Sequence, residues 1–154
     1  MQWVDKLASN LPPVKHFHIV FTIPECLHTL FYINQRIAYS LLFNAAGQTL
    51  MQCAKNTQYI GVEAGAVALL HTWGQTLTYH PHIHTIVPAG GLSDDGMEWI
   101  PSAKNFFVPI KVLSAVFRGI LCRLIEEAVR IKKINLPDNT PDFQSIKSKC
   151  YAKK

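Results

Sequence analysis

His80-Pro81-His82-Ile83-His84-Thr85-Ile86-Val87-Pro88 is rich in β-branched residues and is followed by Gly90 and Gly91, so residues 82–88 read as a strand closed by a turn. Residues i and i+2 of a strand point to the same face about 7 Å apart. His82 and His84 therefore share one face while Ile83 turns into the core. Two neutral imidazoles so placed can converge on a borderline divalent metal such as manganese or zinc. They would equally serve as polar residues on the open face of a sheet. His80 has the same parity, but Pro81 marks a bend. Spacing leaves the third ligand open among His71 and Gln75 on the preceding strand and His18 on the first, with His71 ranked first.

Working outward, Ala66–Trp73 is an apolar run of strand length that ends at Gly74. Joined to residues 82–88 by a loop too short for a crossover, it predicts an antiparallel pair. Phe17–Ile23 reads as a further strand, stopped by Pro24, with Phe17, Ile19 and Phe21 on one face and His18, Val20 and Thr22 on the other. Between them, Leu27, Leu30, Phe31, Ile37, Leu41 and Leu42 recur at helical intervals, predicting a helix over 25–43 and a second over 45–57. Asp94-Asp95-Gly96 is a turn signal before a short strand around 98–100.

Pro109 opens the clearest helix, with Ile110, Leu113, Phe117, Ile120, Leu124, Ala128 and Ile131 on one face and Lys132 and Lys133 at its end, where cations suit the dipole. Residues 135–142 have a loop composition, and 143–154 read as a last short helix. This order predicts an α+β domain: an antiparallel sheet with helices on one face, the other left free for a site.

With 49% hydrophobic and 16% charged residues, the 154-residue chain has the material for one core. No stretch approaches the roughly 20 apolar residues of a membrane span, and residues 1–16 lack a signal-peptide core. A soluble, cytoplasmic protein without membrane contact is expected. Cys26, Cys53, Cys122 and Cys150 form no CxxC pair, which argues against a zinc ribbon. The net charge of +5 is lopsided: residues 104–154 hold 11 of the 15 Lys and Arg against four acids. Such asymmetry suits a polyanion. Arg118, Arg123, Arg130, Lys132 and Lys133 are candidate phosphate contacts, although any of them can simply be the wet side of the helix.

Several longer segments carry a resemblance: residues 11–24 (Leu11-Pro12-Pro13 through Thr22-Ile23-Pro24), Leu70-His71-Thr72-Trp73-Gly74-Gln75-Thr76-Leu77, His80-Pro81-His82-Ile83-His84, Gly90-Gly91-Leu92-Ser93 and Trp99. In this order they resemble the two-tyrosine transposases of rolling-circle insertion sequences, the insertion sequence ninety-one family. The resemblance implies an HUH endonuclease fold with a ferredoxin-like core, in which His82 and His84 hold magnesium or manganese against the scissile phosphate of single-stranded DNA. A tyrosine then attacks phosphorus to give a covalent 5′ phosphotyrosine link.

The family's nucleophiles are two tyrosines four residues apart, downstream of the histidines, and only Tyr151 follows them here. The expectation is therefore a transposase fragment: residues 1–16 a connector to a missing zinc-binding segment, 17–134 the metal-binding core, and 135–154 a loop and truncated end. Little cutting activity is expected from it alone, and its exposed edges invite self-association. The alternatives are a non-catalytic nucleic-acid-binding module and a small metal-dependent hydrolase.

Overall fold

A computed structural model describes residues 11–74, 78–102 and 107–152. Three strands form the main sheet: β1 (His16–Thr22), β2 (Val67–Trp73) and β3 (Tyr79–Pro88), in the order β1-β3-β2 with both pairings antiparallel. A two-stranded annex pairs β3's continuation, β4 (Gly90–Leu92), with β5 (Trp99–Pro101). The helices are α1 (His28–Ile33), entered through a 3-10 turn at Glu25–Leu27, then α2 (Gln35–Ala54), α3 (Ile110–Arg130) and α4 (Phe143–Tyr151).

Register explains why the sheet has one dry and one wet face. β1 and β3 pair Phe21 with Ile83, Ile19 with Thr85 and Phe17 with Val87, and β2 adds Leu70 opposite Ile83. Ile83 and Val87 are fully buried, and the hydroxyl of buried Thr85 donates to the Ile19 carbonyl at 2.9 Å. The helices cover this face. Phe117 of α3 meets Phe21 with ring centroids 4.9 Å apart, while Phe31, Leu30, Leu42 and Ile125 fill the layer behind. Removing such area from water is the main stabilising term, at about 25 cal/mol per Å².

The expected helix over 25–43 and its successor over 45–57 are redrawn. The break falls at Asn34, and α2 then runs unbroken through Asn44. Asn34 leaves helical backbone (φ −128°, ψ 30°), and its side chain satisfies the groups exposed there. The amide donates to the carbonyls of Leu30 and Asn135, each at 2.8 Å, and its oxygen accepts the Asn135 N–H at 2.9 Å. One side chain thus ends a helix and ties the loop after α3 to it. The buried stripe of α3 also differs from the expected one. Leu121 and Ile125 are buried, Ile120 and Leu124 pack only partly, and Ile110 is 83% exposed, because the helix packs against both the sheet and the neighbouring α2.

Gly90 and Gly91 do not merely close β3 but form the first half of the annex. A Cβ on Gly91 would overlap the Glu63 carbonyl oxygen, and one on Gly90 would overlap the Ile100 carbonyl. Gly90 also has φ +150°, which side chains rarely adopt. Close backbone approach is the physical reason for glycine at both positions. α4 starts at Phe143, as expected, and ends at Tyr151; the carboxylate of Asp142 before it accepts the Ser145 N–H at 2.9 Å as an N-cap.

Candidate metal centre

Strand β3 begins three residues earlier than the sequence suggests, and the reason lies at Pro81. His71 pairs with His82 but Trp73 pairs with Tyr79, so β3 carries one extra residue in the His80-Pro81 stretch. A bulge is where a strand tolerates proline, which has no N–H to give the ladder. It turns the His80 carbonyl onto the Nδ1 of His82 at 2.6 Å. A carbonyl only accepts, so the His82 proton sits on Nδ1 and the Nε2 lone pair is left free.

His84 has another imidazole as its partner. Its Nδ1 lies 2.8 Å from the Nε2 of His18, and the two rings stack with centroids 5.0 Å apart. With Nδ1 of His84 as donor, its Nε2 lone pair is also free. Burial first, then the charges of His71, His82 and His18, holds the His84 pKa below the ordinary histidine value and keeps the ring neutral.

His71, opposite His82 on β2, completes the group: one ring nitrogen each from His71, His82 and His84 lies within 4.8 Å of the others. Two metal–nitrogen bonds of about 2.1 Å each span at most about 4.2 Å, a separation that small rotations of the imidazole rings reach from here. The set contains no carboxylate. An ion held by three neutral imidazoles keeps its full positive charge, which suits an anionic ligand such as phosphate. The centre is ringed by exposed apolar side chains, Val20 and Leu69 standing on either side of His84 in the register and Val67 beyond.

Of the candidate third ligands, His71 joins the two β3 histidines. His18 instead pairs with His84 from the neighbouring strand β1, and Gln75 lies outside the described residues. Six of the seven histidines form one continuous series of ring contacts, from His18 through His84, His71, His82 and His80 to His28. The sequence reading missed the supporting roles of His18 and the His80 carbonyl. The parity of His18 with Val20 and Thr22 was the available signal for the first; the second depends on the bulge.

The basic candidates do not gather here. Arg130 forms an ion pair with Glu127 at 2.6 Å, Arg123 donates to Gln48 at 3.0 Å, and the Arg118 guanidinium lies 4.7 Å from the centre of the Tyr151 ring. Lys132 and Lys133 are exposed just beyond the end of α3. Tyr151 thus belongs to the α3–α4 side of the molecule and makes no ring contact or hydrogen bond with the histidines among the described residues.

Residues 65–154, more than half the chain, match the Y2_Tnp family model, described as "Putative transposase". The chain belongs to this transposase family. Among curated relatives it is 42% identical over 127 residues to "Putative transposase y4qJ" of Sinorhizobium fredii, covering 82% of this chain and 32% of that protein. It is 38% identical over 96 residues to the "Transposase for insertion sequence element IS801" of Pseudomonas savastanoi pv. phaseolicola, covering 62% of this chain and 22% of that one. The chain therefore spans a third or less of these relatives' length.

Among solved structures it resembles the conjugative relaxase TrwC. A metal-bound complex with oriT DNA aligns at TM-score 0.52 and 15% identity, covering 71% of this chain and 42% of that one. A metal-free complex aligns at TM-score 0.56 and 14% identity, covering 82% and 54%. At such identities the likeness shows the fold, which is the relaxase-like HUH fold expected from the sequence. No helix among the described residues is long and apolar enough to cross a membrane.

For any divalent ion held by the three histidines, His18→Ala is expected to weaken binding by about 10- to 100-fold, the usual effect of removing the partner that orients a ligating imidazole. Calorimetric titration checks this. Unchanged affinity would remove His18 from the centre.

Proposed function

We propose that this chain carries the metal-dependent DNA-cleavage centre of a rolling-circle insertion-sequence transposase, with His71, His82 and His84 holding a divalent ion over which the scissile phosphate of single-stranded DNA is placed. The observation that carries the reading is the convergence of three imidazole nitrogens within 4.8 Å on the helix-free face of the sheet. When bound, the ion supplies Lewis-acid polarisation of the phosphate and a template for it. The chain's own residues do the rest: His18 and the His80 carbonyl orient two of the ligand rings, and the bare sheet face leaves room for a strand to lie across them. Nitrogen ligands favour manganese over magnesium, which prefers oxygen and keeps its water.

In this reading Tyr151 is not the nucleophile, because its ring rests against Arg118 rather than beside the histidines. Residues 17–134 carry the metal-binding core, and by resemblance to the family the attacking tyrosine lies downstream of the histidines rather than among Tyr32, Tyr39, Tyr59 and Tyr79. The test is incubation with manganese and labelled single-stranded DNA bearing the element's ends. Manganese-stimulated binding without a covalent adduct on a denaturing gel is expected. An adduct that disappears in Y151F would overturn the assignment of Tyr151, and binding indifferent to manganese would overturn the centre.

A further inference from the structure

At the bulged end of the hairpin the histidine series runs into a group of aromatic rings that the metal centre does not use. Trp73 and Tyr79 pair across β2 and β3, with ring centroids 6.5 Å apart and planes at 86°. Tyr32 of α1 meets the other side of the group, its ring 5.3 Å from Tyr79 and again edge-on at 86°. Tyr79 is half-buried and held from behind, its hydroxyl 3.1 Å from that of Tyr39. Trp73 and Tyr32, by contrast, are 59% and 60% exposed, although burial of large aromatics is a main source of stability. Two exposed rings braced edge-on against a third, hydrogen-bonded one make a preformed platform, and preorganisation lowers the entropic cost of binding.

Position and charge say what the platform fits. The Trp73–Tyr79 pair lies two residues along β2 from the His71–His82 pair, roughly 7 Å at the rise of a strand. That is a step one nucleotide can span. Arg36, four residues after Tyr32 in the first turn of α2, is exposed and makes no ion pair among the described residues. Exposed aromatic faces and a nearby stretch of chain bearing an unpaired arginine are the combination that takes a base and its phosphate.

We propose that Trp73, Tyr79 and Tyr32 form a stacking site for an unpaired nucleobase one step from the phosphate at the histidine centre, with Arg36 on its backbone. This rests on the reading of the histidine face as a DNA surface. The ring faces are blind to base identity, so the site places the strand rather than reading its sequence.

The test titrates a short fluorescent thymidine oligonucleotide, in manganese, into the full chain and into W73A, Y32A and W73F. W73A and Y32A should each weaken binding roughly tenfold, the usual effect of losing one stacked base, while W73F keeps most of it. An oligonucleotide with abasic sites should bind wild type and W73A alike. Manganese affinity, measured separately, should be the same in all four proteins.

W73A and Y32A binding like wild type would overturn the stacking site while leaving the metal centre intact; a wild-type chain that binds manganese but no oligonucleotide would overturn it too. Variants that alter only the sedimentation of the protein would assign the patch to contact between copies, again overturning it. Failure of the centre itself shows up apart from these, as absent manganese binding in the wild type.

Discussion

The double variant H82A/H84A is expected to lose manganese binding altogether, a drop of more than about 100-fold, since removing even an orienting partner of a ligand costs 10- to 100-fold. Both side chains are half-exposed on the open face, so their loss leaves the core untouched and the protein folded. Calorimetry or the electron paramagnetic resonance signal of free manganese reads the result. Retained affinity would mean that the histidines are a polar sheet surface and nothing more.

Acid should produce a milder version of the same loss. A protonated imidazole has no lone pair for a metal. Because burial and the neighbouring imidazoles hold the His84 pKa below the ordinary value, the wild type keeps that ligand neutral at neutral pH. Affinity should then fall as the pH drops below the ordinary histidine range of about 6.5 and passes through the lowered value.

Much of this centre was legible in the sequence because strand parity is a strong constraint. Once residues 82–88 are a strand, His82 and His84 must share a face and Ile83 must oppose them. Parity leaves the third ligand open among His71, Gln75 and His18, and it is the register that sets His71 opposite His82. The three strands and the one-sided helical layer follow from the same alternation. What parity cannot reveal is an inserted residue. The bulge at His80-Pro81 shifts the pairing of Trp73 to Tyr79 and supplies the carbonyl that orients His82, and neither has a periodic signature.

Helix boundaries failed for a related reason. The apolar spacing runs smoothly through Asn34, whereas the break there is made by hydrogen bonds to Asn135, a hundred residues along the chain. The apolar run at 66–73 reads as a strand but does not say which of its residues are covered. β2 is an edge strand with Val67 and Leu69 exposed, because the helices cover one face only.

Ile83→Ala tests whether fold and centre are coupled as the register implies. Ile83 is fully buried between the two β3 histidines, opposite Phe21 on one side and Leu70 on the other. Its truncation removes three carbons from the dry side of the sheet, directly behind the site, and should cost about 2–5 kcal/mol of stability, measured by urea unfolding. Ile83→Val, which keeps the β-branch, should cost only about 0.5–1.5 kcal/mol.

The functional consequence follows from the backbone. His82 and His84 are attached on either side of the residue that loses its anchor, and a metal centre tolerates little freedom in its ligands. The alanine variant, still folded at low temperature, should therefore bind manganese several-fold more weakly, although no ligand has been touched. A destabilised variant with wild-type manganese affinity would show that the strand is held by its ladder alone, and that the core behind it contributes stability but not ligand geometry.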